Sequence, residues 1–296
     1  MKVSVIMIDG SFRENTYGAQ YFTQQDFPDE EYEVIWVEFY KRANEELYYN
    51  NDLKIITLNN TDETTYHSSY CFNEGIKLAK GELLIIPDAD VIVHRDFMQK
   101  AWDAHKENKE LVAYGYRRNE VSENKLNSLE FDELEEKCVI TNPINYGGCM
   151  TVRKKWMLKI NGYDQHEIFE SGFHANGLDI YTRFKNLGLP IKWDHSLKLY
   201  HPRHAFTAEK APVYEIQRKL VSWRSANLEY LPLKGLDEGL NTKAHYSHEY
   251  IKKTLIENKQ AEPNYAKTER RVGVLKRIYV TFPKNETVKN FVNLTE

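Results

Sequence analysis

Short apolar segments alternate with helical patterns through the first 120 residues. The apolar segments are rich in β-branched and aromatic residues and have the length of strands: VSVIMI (3–8), EVIWVEF (33–39), LKIITL (53–58), ELLIIP (82–87) and LVAYGY (111–116). Several are apolar throughout, which is typical of strands covered on both faces. Residues 68–80 and 97–108 form predicted helices, and Asp96 with Gln99 predicts a capping box before the second. This alternation predicts an α/β domain with a mostly parallel sheet.

The pattern changes after residue 205. Residues 211–224 place apolar side chains at helical spacing, residues 248–258 predict another helix, and residues 274–282 predict a late strand. We therefore predict a first domain over residues 1–205 and a mainly helical C-terminal extension over residues 206–296. We expect the extension to contact an acceptor, a partner or a membrane surface.

Charge and cysteine content indicate which partners and which cellular location to expect. The 296 residues carry 40 basic and 44 acidic side chains, a formal net charge of −4, which does not indicate a nucleic-acid partner. The extension is mildly basic, so it either meets an acidic membrane face peripherally or forms an ordinary solvated surface. Three cysteines without metal-type spacing predict a reduced, cytoplasmic location. We expect no signal peptide and no transmembrane segment.

Two aspartates, Asp88 and Asp90, directly follow the fourth predicted strand in the stretch IPDADV. Ligands of parallel α/β sheets bind outside the carboxyl ends of the strands, which is where this pair lies. Two adjacent carboxylates repel each other, and a divalent cation such as Mg²⁺ or Mn²⁺ relieves the repulsion while sharing its coordination with substrate phosphates. The alternative is a surface turn with two solvated aspartates.

Three blocks in fixed order carry a family resemblance. They are NEGIKLAKGELLIIPDADV (73–91), GGCMTVRKKWMLKINGYDQ (147–165) and GLDIYTRFKNLG (177–188). Together they resemble the core of the inverting family-2 glycosyltransferases of the GT-A fold, with Asp-x-Asp at the end of the first block. The resemblance covers about residues 1–205. It implies a GT-A type, Rossmann-like sheet, mixed but mostly parallel and flanked by helices.

The resemblance also implies an activity: metal-dependent transfer of a sugar from a nucleotide diphosphate donor, usually a UDP-sugar, to a hydroxyl of a glycan, lipid-linked or protein acceptor. Asp90 would bind the Mn²⁺ or Mg²⁺, and Asp88 would contact the ribose or the metal and its waters. Family members commonly supply a histidine as third metal ligand. Here the first choice is His201, and His204 is the second.

Other roles are implied by position in the family pattern. Asp179 would be the general base that takes the proton of the acceptor hydroxyl during direct displacement. Glu38 would accept a hydrogen bond from the uracil imide, and Asn60 would contact the base. Gly148 would let the backbone approach the sugar or diphosphate, and Arg203 would meet the diphosphate oxygens.

The chain departs from the family at the end of the first strand, which reads IDGSFREN instead of Pro-Thr-Tyr-Asn. Asp9 and Arg13 are candidates to replace that nucleotide contact. Three other functions stay open: a retaining transferase on the same fold, a sugar nucleotidyltransferase, and a catalytically silent, lectin-like module that binds a sugar or nucleotide. A nucleotidyltransferase needs a glycine-rich, basic loop after the first strand, and DGSFREN has one glycine and one arginine.

Overall fold

The computed structural model describes residues 1–11, 13–40, 45–169, 175–204 and 214–237. In these residues the strands form one sheet in the order β3-β2-β1-β4-β6-β5-β7. The strands are β1 Val3–Asp9, β2 Tyr32–Tyr40, β3 Leu53–Asn60, β4 Leu83–Pro87, β5 Val112–Asn119, β6 Cys149–Arg153 and β7 Ile191–His201. All five predicted strands are confirmed. The predicted helix at 248–258 and strand at 274–282 lie outside the described residues, and the domain boundary at residue 205 stays a prediction.

Helices flank this sheet. They are α1 Tyr17–Phe22, α2 Ser68–Leu78, α3 Phe97–Glu107, α4 Phe131–Lys137, α5 Lys154–Lys159, α6 Asn176–Asn186 and α7 Tyr214–Asn227. Short 3₁₀ helices cover Asp29–Glu31, Glu45–Tyr49 and Glu167–Phe169. The predicted helices at 68–80, 97–108 and 211–224 are confirmed to within a few residues. Within the parts of the chain described above, none of the helices has the length and apolar character required to cross a bilayer.

The capping box predicted at Asp96 is wrong. Asp96 does precede helix α3, but its side chain makes no capping hydrogen bond and its backbone (φ −90°, ψ 2°) is not in the extended region that an N-cap usually adopts. The carboxylate instead pairs with Lys100 one turn later, at 2.8 Å. An i,i+4 ion pair has therefore replaced the cap.

The sheet is mixed but mostly parallel, as predicted. Strand β6 runs antiparallel to its neighbours β4 and β5, while the other pairings are parallel. The ends of β1, β2, β4 and β7 therefore lie at one side of the sheet, which we call the carboxyl edge. Asp9, Glu38, Asp88 and His201 all stand at or just beyond those ends.

Both faces of the sheet are covered, which explains why the inner strands are apolar throughout. Along β1, Val5 and Met7 join the core under α1 and α3, while Ile6 and Ile8 join the core under α2 and α6. The family glycine Gly81 has a steric reason here. A Cβ at Gly81 would lie 2.4 Å from the backbone nitrogen of Ser4, so only glycine lets the turn before β4 touch β1.

Candidate functional site

Two backbone contacts position the segment that follows β4. Ile92 exchanges hydrogen bonds with Tyr200 of β7 (2.8 and 2.9 Å), and the Ala89 carbonyl accepts one from the Gly18 amide (2.9 Å). A Cβ at Gly18 would stand 2.8 Å from the Ala89 oxygen, so only glycine at this position lets the start of α1 approach the Asp-x-Asp segment. Asp90 lies between these two contacts and is therefore held beside the end of β7.

Asp90, His201 and His204 could together hold a metal ion, because their ligand atoms all lie within 4.8 Å of one another; we call these three side chains the metal group. His201 Nε2 is 3.6 Å from Asp90 Oδ1, and His204 Nε2 is 3.4 Å from Asp90 Oδ2. Asp90 is buried, and its Oδ1 accepts no hydrogen bond. A buried carboxylate oxygen without a partner, facing two imidazoles, fits a bound divalent cation. Both histidines considered from the sequence are therefore brought to Asp90.

Asp88 is not part of this group in the described structure. Its carboxylate accepts a hydrogen bond from Arg117 Nη1 at 2.8 Å, and its backbone amide donates to the Gly148 carbonyl at 2.9 Å. The other arginine at the carboxyl edge, Arg13, donates from Nη1 to Asp90 Oδ2 at 2.5 Å. Each aspartate of the Asp-x-Asp pair thus has its own guanidinium.

The electrostatics of the two aspartates differ. Burial opposes ionisation of Asp90, but the neighbouring His201 and His204 and the Arg13 charge hold its pKa below the usual range. Burial raises the pKa of Asp88, against the opposing charge of Arg117. Asp90 is therefore the more readily ionised of the two.

Glu38 lies buried at the carboxyl edge, in register with Asp9 of β1. It accepts hydrogen bonds from Ser11 Oγ (3.0 Å) and, more weakly, from Trp36 Nε1 (3.5 Å). Burial, together with the charge of Asp9, raises the pKa of Glu38 to about 7. Asp9 in turn lies 3.8 Å from Arg13 Nε, so these residues form a continuous polar row that leads to the metal group.

The remaining predicted contacts lie around this row. Asn60 donates its side-chain amide to the Phe39 carbonyl (3.1 Å) and lines a cavity of about 280 Å³ together with His67 and Tyr70. Arg203 is exposed, and its backbone amide donates to Glu120 at 2.8 Å. Gly148 lies beside the Asp-x-Asp segment, because its carbonyl accepts the Asp88 amide. Arg203 lies between His201 and His204 along the chain.

Asp179 lies in a buried charge cluster that it forms with Asp164, Arg183 and Arg224. Its Oδ2 accepts from Arg183 Nε at 3.0 Å, and its Oδ1 accepts from Arg224. Arg224 also donates to Asp164 at 2.5 Å. All four side chains are at most 2% exposed. Both oxygens of the predicted base are therefore occupied by guanidinium groups in this structure.

Comparison with known proteins identifies the family of this chain. A family model described as glycosyltransferase like family 2 matches residues 4–192. The chain belongs to this family. A search of the curated proteins finds no match to the sequence.

Solved structures show the fold of this family-2 chain. S. aureus TarS (residues 1–349) in complex with UDP-GlcNAc aligns with a TM-score of 0.56 and 18% identity, over 77% of this chain and 69% of that one. The same protein in complex with UDP aligns with a TM-score of 0.55 and 15% identity, over 77% and 68%. The predicted GT-A type fold is therefore confirmed.

Two arginines of this family-2 domain were not predicted from the sequence. Arg117 and Arg224 neutralise Asp88 and Asp179. The i,i+4 spacing of Asp179 and Arg183 was a usable signal for an ion pair on helix α6. Arg224 lies 45 residues from Asp179, and no local pattern connects the two.

Proposed function

We propose that this family-2 chain transfers a sugar from a UDP-sugar to a hydroxyl acceptor with the help of a divalent metal ion. The observation that carries the proposal is the metal group of Asp90, His201 and His204 at the carboxyl edge, where sheets of this class bind their ligands. The complexes of TarS with UDP and UDP-GlcNAc support the choice of donor nucleotide.

The donor set favours Mn²⁺ over Mg²⁺. Mg²⁺ prefers oxygen ligands and gives up water reluctantly, whereas imidazole suits first-row transition metals. Asp90 with His201 and His204 offers one carboxylate and two imidazoles. Bound there, the ion would supply Lewis-acid stabilisation of the negative charge on the leaving diphosphate.

Glu38 of the polar row, together with residues outside the row, would hold the nucleotide. Glu38 is proposed to accept the uracil imide N–H, with Asn60 beside the base, since both lie at the ends of neighbouring strands. Asp88 is proposed to meet the ribose or the metal-bound waters. Gly148 is proposed to permit close approach of the sugar phosphates, and the exposed guanidinium of Arg203 to meet diphosphate oxygens.

Inversion with Asp179 as general base stays a prediction. A base must come within hydrogen-bonding distance of the acceptor hydroxyl and have a free lone pair to receive the proton. Asp179 is 1% exposed and accepts from both Arg183 and Arg224. The role thus requires that the acceptor hydroxyl reaches a carboxylate that is buried and paired with two guanidinium groups in this structure.

One pair of variants separates a base from a purely structural residue. If Asp179 is the base, Asp179→Asn loses transfer by orders of magnitude but keeps donor binding, and Arg224→Met retains a measurable fraction of transfer. If the carboxylate only balances charge, both variants lose transfer in proportion to their loss of folded protein. The anomeric configuration of the product, read by NMR, distinguishes inversion from retention.

The transferase proposal is tested by release of UDP from UDP-sugars in the presence of Mn²⁺, with and without acceptor. We expect slow hydrolysis without acceptor, abolished in Asp90→Asn. The matched control is Asp26→Asn, because Asp26 is an exposed aspartate paired with Arg95 on the surface. Tight binding of UDP-sugar without any turnover would instead identify a silent binding module.

A further inference from the structure

Arg13 neutralises Asp90 through Oδ2, while the other carboxylate oxygen, Oδ1, lies beside His201. Arg13 Nη1 donates to Asp90 Oδ2 at 2.5 Å, and its Nε lies 3.8 Å from Asp9 Oδ1. The side chain is largely buried, with 19% of it exposed. A buried guanidinium between two buried carboxylates compensates charge that would be costly to leave unpaired.

We infer that Arg13 is an internal substitute for the metal ion: it neutralises Asp90 in the metal-free chain, and it turns to the diphosphate of the donor when the ion binds. This inference rests on the proposed function, because it assumes both the metal group and a diphosphate ligand. It assigns to Arg13 a positioning role that couples metal binding to nucleotide binding.

The first argument concerns charge. The ion-paired set of Asp9, Asp88 and Asp90 with Arg13 and Arg117 carries one net negative charge, and Glu38 adds another where it is ionised. A divalent ion offsets this charge and places two further positive charges on the carboxylate that Arg13 already holds. Like charges at this separation in a buried site repel strongly, so Arg13 loses its partner on metal binding. A diphosphate offers a bidentate acceptor for the released guanidinium.

The second argument concerns where the two arginines are attached. Arg117 lies within strand β5, in register with Leu199 of β7, so its backbone is fixed by the sheet. Arg13 lies in the connection between β1 and α1. That connection is anchored by Ser11, which has a left-handed backbone (φ 58°) and donates its hydroxyl to Glu38. Arg13 thus lies two residues after an anchored position in this connection, and the anchor contacts Glu38, the residue proposed to hold the uracil.

The test compares Mn²⁺ binding and UDP binding in Arg13→Met, Arg13→Lys and the wild type. Arg95→Met is the matched control, since Arg95 makes an exposed ion pair with Asp26. Without nucleotide, Arg13→Met should bind Mn²⁺ at least tenfold more tightly than the wild type, because its competitor is gone. With saturating Mn²⁺, the same variant should bind UDP about tenfold more weakly, a loss of about 1.4 kcal/mol. Arg95→Met should stay close to the wild type, and Arg13→Lys, which keeps the charge but not the bidentate geometry, should fall between the wild type and Arg13→Met.

If Arg13 were only structural, its replacement by methionine would not strengthen Mn²⁺ binding and at the same time weaken UDP binding. Thermal unfolding provides a second readout. Arg13→Met should melt lower than the wild type without metal, because buried Asp90 loses its partner, and should gain more from added Mn²⁺.

Two failures have different meanings. If the wild type binds Mn²⁺, Asp90→Asn does not, and Arg13→Met binds it no more tightly than the wild type, the role of Arg13 is overturned while the metal site stands. If the wild type binds no Mn²⁺ with or without UDP, the metal site and the role of Arg13 fall together.

Discussion

The buried charge cluster of Asp164, Asp179, Arg183 and Arg224 gives the sharpest prediction for stability. The cluster contains two negative and two positive side chains, each at most 2% exposed, so its charges balance without solvent. Asp179→Asn removes one negative charge and leaves two buried arginines with one carboxylate. Arg224→Met removes one positive charge and leaves two carboxylates with one arginine.

The expected loss is large in each single variant. Removing one partner of a buried ion pair leaves an uncompensated buried charge and typically costs about 3–5 kcal/mol. For a chain of this size that loss lowers Tm by about 5–8 °C. The double variant keeps Asp164 and Arg183, which balance each other, so its loss should be several kcal/mol smaller than the sum of the two single losses.

Urea denaturation followed by circular dichroism measures the three free energies of unfolding, with the wild type alongside. Arg95→Met serves as control, because its pair is exposed and should contribute less than about 1 kcal/mol. Single losses below about 1 kcal/mol, or a double loss equal to the sum, would refute the argument that charge balance holds α6 and α7 together.

Three further predictions concern stability. Because the pKa of Glu38 is raised to about 7, the wild type loses stability as the pH rises from about 4.5 to 7. Glu38→Gln should therefore exceed the wild type by up to about 3 kcal/mol at pH 8 and match it near pH 4, as measured by urea titrations at both pH values. Gly81→Ala should cost about 1–3 kcal/mol through its clash with β1, while Gly147→Ala, with only a 3.7 Å contact, should be nearly neutral in thermal unfolding. Asn73→Ala should cost about 1–3 kcal/mol in the same assay, since Asn73 pairs both the amide and the carbonyl of Tyr163. Equal melting points of Gly81→Ala and Gly147→Ala would contradict the contact of Gly81 with β1, and an unchanged melting point in Asn73→Ala would contradict its pairing with Tyr163. A stability difference between Glu38→Gln and the wild type that does not change with pH would contradict the raised pKa of Glu38.

The fold was largely predictable because its determinants are local. Apolar runs of strand length and the glycines between them indicate the parallel sheet, and strand order then places Asp88, Asp90 and His201 at one edge. His204, three residues beyond His201, also reaches Asp90. The antiparallel course of β6 depends on a long connection after β5, for which no sequence pattern gave a direction.

The side-chain partners were much less predictable. Arg13 and Asp90 are 77 residues apart, and Arg117 and Asp88 are 29 apart, so their pairing depends on tertiary packing alone. The same holds for Arg224, which closes the charge cluster around Asp179 from a helix beyond the family blocks. Sequence resemblance therefore named candidate acids but could not show which of them are already neutralised.

A crystal soaked with MnCl₂ and UDP, with data collected at the manganese absorption edge, tests the central claim most directly. We predict one anomalous peak per chain, bonded to Asp90 Oδ1 and the two imidazoles of His201 and His204, with the UDP diphosphate on its open side. UDP bound at the carboxyl edge without a peak at Asp90, or a peak at another set of residues, would contradict the metal site and the transfer chemistry built on it.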